Sequence, residues 1–354
     1  MNGRRILIAY NAPQREQRGR AMDYVSEAGV LDQVNAVRNS MVELGYEVML
    51  APLQKSVQAF MERLARFRPD AIFNLVEGWQ GDSKYHLHLP AMYELLGLEY
   101  TGAPMSALVM SFDKWTTKML LEQAGLPVPR GMQCSEVPGR CHLRFPVIVK
   151  PVHEDASLGI DFESVVYDLD ELRRRVAWVI QNYHQPALVE EYIDGRELNV
   201  AIIGDRLPEA LPISEITFPY VPEGKPRICS YNIKWMENSD EFHWVEASCP
   251  ALLDEDTTMR AQQIAISAFR LLGCRDYARV DMRLAADNQP YIVEVNANPD
   301  LSPDAGLTRS AVASGRSYTQ FIGEIVGFAL QRGETNEYPR VAPRRQAAYR
   351  ESFA

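Results

Sequence analysis

Tyr277-Ala278-Arg279-Val280-Asp281, answered after a turn by Glu294-Val295-Asn296-Ala297-Asn298-Pro299, is the stretch on which the rest of the chain turns. Polar and apolar residues alternate from Tyr277 to Leu284, turn formers fill Ala286-Asp287-Asn288-Gln289-Pro290, and alternation resumes from Tyr291 to Val295. That pattern predicts an antiparallel hairpin. Side chains two apart share a face, so Arg279 pairs with Asp281 on one strand and Glu294 with Asn296 on the other. Carboxylate and amide oxygens suit Mg2+ held partly through substrate phosphates. Arg279 is a permanent cation able to hold an oxyanion. Taken alone, the hairpin is equally a salt-bridged surface ribbon.

The 354 residues suffice for two or three domains. A net charge of -10, with no long basic run before the C-terminus, argues against nucleic acid as the main partner. Five cysteines without Cys-x-x-Cys spacing point to reduced thiols, and no apolar run is long enough to span a bilayer. A cytoplasmic enzyme acting on small molecules, with no membrane partner, is the expectation.

From the N-terminus, strands at Arg4–Tyr10, Glu47–Leu50 and Ala71–Leu75 alternate with helices over 30–44 and 57–67, as in a doubly wound α/β domain. No Gly-x-Gly-x-x-Gly follows the first strand, which counts against a dinucleotide site. Glu77 stands at the third strand's exit, where ligands gather in such sheets. His86 and His88 further on would share one side of an extended segment, more in keeping with ordinary polar residues than with a metal site. Asp113 caps a helix carrying Lys114 and Lys118 one turn apart, by themselves a solvated face. Phe145–Pro151 is an apolar strand ending in Lys150, followed by a small polar loop through Ser157 whose backbone amides could cradle a phosphate. Asp168 with Glu171 starts another helix. Strands then carry Glu190 and Ile193, and after Asp194-Gly195, Glu197. From Phe218 to Glu246 periodicity fails, predicting a long loop, read as a lid that holds Lys234 beside Tyr231 and Trp235. Helices follow over 257–272 and 318–330, with a turn-rich stretch containing Asp300 and Asp304 between the hairpin and the second helix.

In that order, Lys114, Lys150, the Ser157-Leu158-Gly159 loop, Glu190, Glu197, Lys234, Arg279 with Asp281, and Glu294 with Asn296 resemble the ATP-grasp superfamily, in its D-alanyl-D-alanine ligase branch. The likeness runs from residue 4 to about residue 331. It implies an α/β and α+β fold: a Rossmann-like pre-ATP-grasp domain (1–104), two ATP-gripping subdomains (105–193 and 194–331), and a mobile tail (332–354). It further implies that Lys114, Lys150 and Ser157 meet ATP phosphates, that Glu190 and the backbone near Ile193 take the adenine, and that Glu197 takes the ribose. Lys234 would reach the γ-phosphate, and Asp281, Glu294 and Asn296 would hold two Mg2+ ions. The implied reaction joins a carboxylate to an amine, and a homodimer is expected by likeness alone.

The chemistry is coherent, because a carboxylate becomes a usable electrophile only when ATP converts it to an acyl phosphate, from which a lid must exclude water. Arg279 would stabilise the tetrahedral oxyanion formed on amine attack. Departures from the D-alanyl-D-alanine ligases fall on the amino-acid side. Ala156 stands for the first loop serine, Glu77 for a histidine, Asp300 for a glycine, and Ala305-Gly306 for the Ser-Leu pair. An acid there repels a substrate carboxylate, so the amino acid and carboxylate partners expected differ from two D-alanines. Glu77, Asp300 and Asp304 are the candidate substrate contacts. Two rivals remain open, an authentic peptidoglycan D-alanine:D-alanine ligase and a nucleotide-binding regulatory module without turnover.

Overall fold

Ile6 and Ile8 are buried on one side of strand β1 (Arg5–Asn11), and Leu7 and Ala9 on the other. A strand apolar on both faces needs cover on both. In the computed structural model, which describes residues 3–12, 30–54, 56–80 and 82–335, helices supply it. With α1 (Val30–Glu43), β2 (Glu47–Leu53), α2 (Val57–Phe67) and β3 (Ala71–Leu75), β1 forms a parallel sheet of order β2-β1-β3. Val34, Val37 and Met41 of α1 close one face, while Phe60 and Leu64 of α2 close the other beside Tyr93 of α3 (His88–Leu95).

Two helices, α4 (Met105–Phe112) and α5 (Lys114–Gln123), lead into an antiparallel sheet of β4 (Gly131–Cys134), β5 (Val147–Pro151), β6 (Val165–Val166) and β7 (Ala187–Glu191). Its order is β4-β7-β5-β6. Helix α6 (Leu169–Tyr183) packs Leu172, Val176 and Val179 against it. Asp168 caps α6 by accepting from Glu171 N at 2.8 Å, and Glu171 accepts from Tyr167 N at 2.8 Å.

The remaining strands are β8 (Arg196–Gly204), β9 (Glu209–Ala210), β10 (Ser214–Thr217), β11 (Glu246–Ser248), β12 (Asp276–Leu284) and β13 (Pro290–Asn296). They run in the order β11-β10-β8-β12-β13, with β9 on β8. Helix α7 (Tyr231–Trp235) lies between β10 and β11, and α8 (Glu255–Leu271) precedes β12. Ala278, Val280 and Met282 of β12 join Leu198, Val200 and Ile202 of β8 in a core with Ala261, Ala265 and Phe269 of α8. The opposite face of β12 is therefore free to carry Arg279, Asp281 and Arg283.

After β13 come α9 (Gly306–Ala313) and α10 (Tyr318–Thr335). Phe321, Ile322 and Ile325 of α10 share one core cluster with Ile6, Phe73, Ala201, Ile203 and Tyr277, so the N-terminal sheet and the β8–β12 sheet are built around a common helix. Among the described residues no helix is long and apolar enough to cross a membrane.

Three readings of the sequence are corrected. Ser83–Leu87 is a 3-10 turn running into α3, not an extended segment, so His86 and His88 do not share one side of a strand. The stretch 218–246 holds α7 and a 3-10 turn, Asp240–Trp244, each capped by a serine. Arg332 and its neighbours to Thr335 are helical rather than tail, because Arg332 is tied to Asp276. The tail residues 336–354, and residues 13–29 after the first strand, lie outside the described residues.

Candidate active site

Strand register sets the centre. Asp281 stands opposite Asn199 on β8 and Glu294 on β13, Arg279 opposite Asn296, and Arg283 opposite Glu197. Four side-chain donors converge on the Asp281 carboxylate: Arg279 Nε at 2.7 Å and Nη2 at 2.8 Å, Asn199 Nδ2 at 2.7 Å, and Asn296 Nδ2 at 2.9 Å. The register slips by one residue between Asp281 and Met282, leaving Val293 as the extra residue of a bulge. Its carbonyl accepts from Lys150 Nζ at 3.2 Å, which draws the neighbouring sheet's lysine to this strand. Arg283 donates to Glu197 at 3.1 Å and to the carbonyls of Ile193 and Gly195 at 3.1 and 2.8 Å, pinning the chain between β7 and β8.

The lysines come from α5 and β5. Lys114 Nζ pairs with Asp155 at 2.8 Å and Glu294 at 2.5 Å. Burial opposes the Glu294 carboxylate, but Lys114, with Lys150 and Lys234 behind it, holds it down at about 2. Burial likewise opposes the Lys114 ammonium, and Asp155 and Glu294 overcome it and raise its pKa. Lys118 is not the solvated residue its helical spacing suggests. It is 4% exposed, donates to the Pro129 carbonyl and pairs with Glu190 at 2.9 Å, while Lys150 meets the same carboxylate at 2.7 Å. One carboxylate thus holds two ammonium groups in place within a buried cleft, and the Glu294 charge also reaches Lys150. Burial opposes Glu190 as well, yet Lys150 and Lys118 keep its pKa low. At Glu197 burial prevails over Arg283, and the pKa rises.

The polar loop after β5 meets the lid directly. Ala156 and Ser157 both adopt left-handed conformations, φ 55° and 60°, a cost of about 1–2 kcal/mol per residue that neighbouring bonds must offset. Ser157 Oγ donates to the Cys229 carbonyl at 2.9 Å, Trp235 Nε1 to the Ala156 carbonyl at 2.9 Å, and Tyr231 N to the Ile160 carbonyl at 3.0 Å. Lys234 stays exposed, near enough for its charge to act on Glu197 and Glu294.

The expected substrate contacts are less converged. Glu77 is exposed beyond β3, its amide donating to Asn11 Oδ1 at 3.1 Å. Asp300 accepts from Ser302 N at 2.8 Å and Ser302 Oγ at 2.7 Å, so it closes its own turn, although its charge reaches Arg279. Asp304 is exposed. The sequence assigns Lys118 only a solvated role and assigns Asp155, Asn199 and Arg283 none. Asn199 and Arg283 were within reach, each two residues along a strand from a selected acid. Asp155 carried no such signal. Asp281, Glu294 and Asn296 present the hard oxygens a divalent cation takes. Among the described residues no three His, Cys, Asp or Glu side chains gather as a metal set, so substrate oxygens and water would have to complete the shell.

Two sheets face each other across buried lysines, with acids on one floor and the segment 218–246 bonded to a small-residue loop, and relatives place this cleft among ATP-dependent carbon–nitrogen ligases of the ATP-grasp class. A solved structure of the D-alanine–D-alanine ligase from Bacillus anthracis complexed with ATP superposes with a TM-score of 0.73, at 22% identity, over 94% of this chain and 99% of that one. The family described as D-ala D-ala ligase C-terminus matches residues 121–327. An uncharacterized protein of Sinorhizobium fredii is 34% identical over 309 residues, 84% of this chain and 87% of that protein. The D-alanine–D-alanine ligase of Alcanivorax borkumensis is 32% identical over 300 residues, 84% of this chain and 88% of the relative. The chain belongs to the D-alanine–D-alanine ligase family.

Proposed function

We propose that the chain joins the carboxylate of one small molecule to the amine of an amino acid, using ATP to form an acyl phosphate and releasing ADP and phosphate. One observation carries the reading. Lys114, Lys150 and Arg279 meet Asp281 and Glu294 in one cleft whose lid is hydrogen-bonded to the small-residue loop. Lys114, Lys150 and the loop at Ser157 suit the nucleotide phosphates, Glu190 and the backbone near Ile193 the adenine edge, and Glu197 a ribose hydroxyl. Lys234 would meet the γ-phosphate from the lid. Asp281, Glu294 and Asn296 would hold Mg2+, two ions in the full site, which when bound neutralises phosphate charge. Arg279 keeps its charge at every working pH and would steady the tetrahedral oxyanion. Its bidentate grip on Asp281 fixes the guanidinium before substrate arrives.

A second reading, D-alanine joined to D-alanine for the cell wall, is supported by the name carried by the 32% identical relative. Ala156, Glu77, Asp300 and Ala305-Gly306 weigh against it, because they replace groups that the resemblance assigns to the two alanines. The deciding experiment is ADP release from Mg-ATP against a matrix of paired amino acids and small acids, with mass spectrometry of each positive well. Product from D-alanine alone favours the cell-wall reading, product from another pair the broader one. Tight ATP binding without product in any well would overturn both in favour of a regulatory nucleotide-binding module.

A further inference from the structure

One cation beside the site has no counter-ion. Arg309, on α9, donates from Nη1 to the Asp304 carbonyl at 2.5 Å, and its Nε is buried without a hydrogen-bond partner. Among the described residues it forms no ion pair within 4 Å. Burial, and after it the like charge of Arg279, lower its pKa, with Cys249 and the exposed Asp304 opposing.

Gly306 lies between the two arginines. A methyl group built there would stand 3.5 Å from Arg309 Nη2, 3.4 Å from Asn199 Oδ1 and 3.9 Å from Arg279 Cδ. Three polar side chains thus border one spot that glycine leaves open. Two of them are already fixed by Asp281, which holds Arg279 through Nε and Nη2 and Asn199 through Nδ2. Asn199 Oδ1 is left to accept and the Arg309 guanidinium to donate. Asp281 is taken up by Arg279 and Asn199, whereas Arg309 has no carboxylate within ion-pair distance among the described residues, and a half-buried unpaired cation is relieved by an anion. A neutral amine would leave it standing.

We propose that Arg309 is a specificity-determining residue that binds the carboxylate of the amine-bearing substrate, while Asn199 Oδ1 accepts an N–H from the same molecule. The pairing selects an α-amino acid over its carboxamide and sets the amine beside Arg279, where the oxyanion forms. This rests on the ligase reading above.

The test uses the intact chain and the productive pair found in the matrix, presenting the amine substrate as the free acid and as its carboxamide. Arg309→Met keeps the aliphatic stem and removes the charge. The KM for the free acid should rise about 10- to 100-fold, with the KM for ATP unchanged and the preference for acid over carboxamide lost. Arg309→Lys should recover part of that preference. Gly306→Ala, which fills the open spot without altering charge, should raise the same KM. An unchanged acid-to-carboxamide preference in a folded Arg309→Met enzyme overturns the assignment while leaving the ligase reading intact. No joined product from any pair overturns the ligase reading and this inference with it.

Discussion

Asp281 shows how much one residue organises here. A carboxylate receiving four hydrogen bonds is neutralised and immobilised, and it orients Arg279 in turn. Arg279→Ala should lower product formation about 100- to 1000-fold, the size of a lost oxyanion donor, with nucleotide affinity unchanged. If both rates and affinity survive, the oxyanion role is wrong. Glu294 makes a pH prediction. Its folded pKa lies at about 2 against an ordinary 4.5, so its pairing with Lys114 stabilises the fold above pH 4.5 and is lost as pH falls toward 2. The contribution is at most about 3 kcal/mol. Denaturant titrations of wild type and Glu294→Gln should therefore differ near pH 6 and converge toward pH 2. A gap that persists at pH 2 would mean that the lost packing, not the charge, sets the difference. Mg2+-dependent turnover in Glu294→Gln would count against the metal role separately.

Between elements, the contact of lid and loop holds the cleft. Trp235 Nε1 bonds the carbonyl of Ala156, a residue in a left-handed conformation, and the next residue bonds back to the lid at Cys229. Trp235→Phe keeps an aromatic ring and removes the bond. A looser lid admits water to an acyl phosphate, so ADP released should exceed product joined in that variant; a ratio still at one would remove the lid's sealing role. The hairpin, β5 and α6 were legible because alternation, the bounding prolines and the Asp168–Glu171 cap are local signals. Helices α4 and α9 were not. Met105–Phe112 is apolar around most of its circumference and follows Pro104 without a side-chain cap, and α9 begins at Gly306 after Ala305, which also gives none. The burial of Lys118 was hidden for another reason: its partner Glu190 lies 72 residues on, and spacing along a helix says nothing of what another strand presents to it.

At the scale of the molecule, the N-terminal sheet and the sheet of β8 and β12 do not meet as separate bodies. Tyr277, two residues before Arg279, packs with Ile6, Phe73 and α10, so β12 passes from shared core to candidate active site within one turn of the pleat. A polar joint beside that core ties them. Asp276, 0% exposed, accepts from Gly102 N at 2.9 Å and from both terminal nitrogens of Arg332, which also reaches the Tyr100 carbonyl at 2.8 Å. Gly102, at φ 89°, lies against Asn298 Oδ1, which accepts from Ala103 N at 2.8 Å. Burial raises the Asp276 pKa even with Arg332 beside it, so removing the cation leaves an acid with no good state. Arg332→Met should cost about 3–5 kcal/mol, the penalty of stranding one member of a buried pair. Because α10 belongs to both sheets, the loss should appear as one cooperative transition at lower temperature, with hydrogen exchange accelerating together in β1, β3 and β12. Exchange rising in β1 and β3 while β12 stays protected would show instead that the N-terminal sheet unfolds on its own, and that the shared core does not couple it to the catalytic strand.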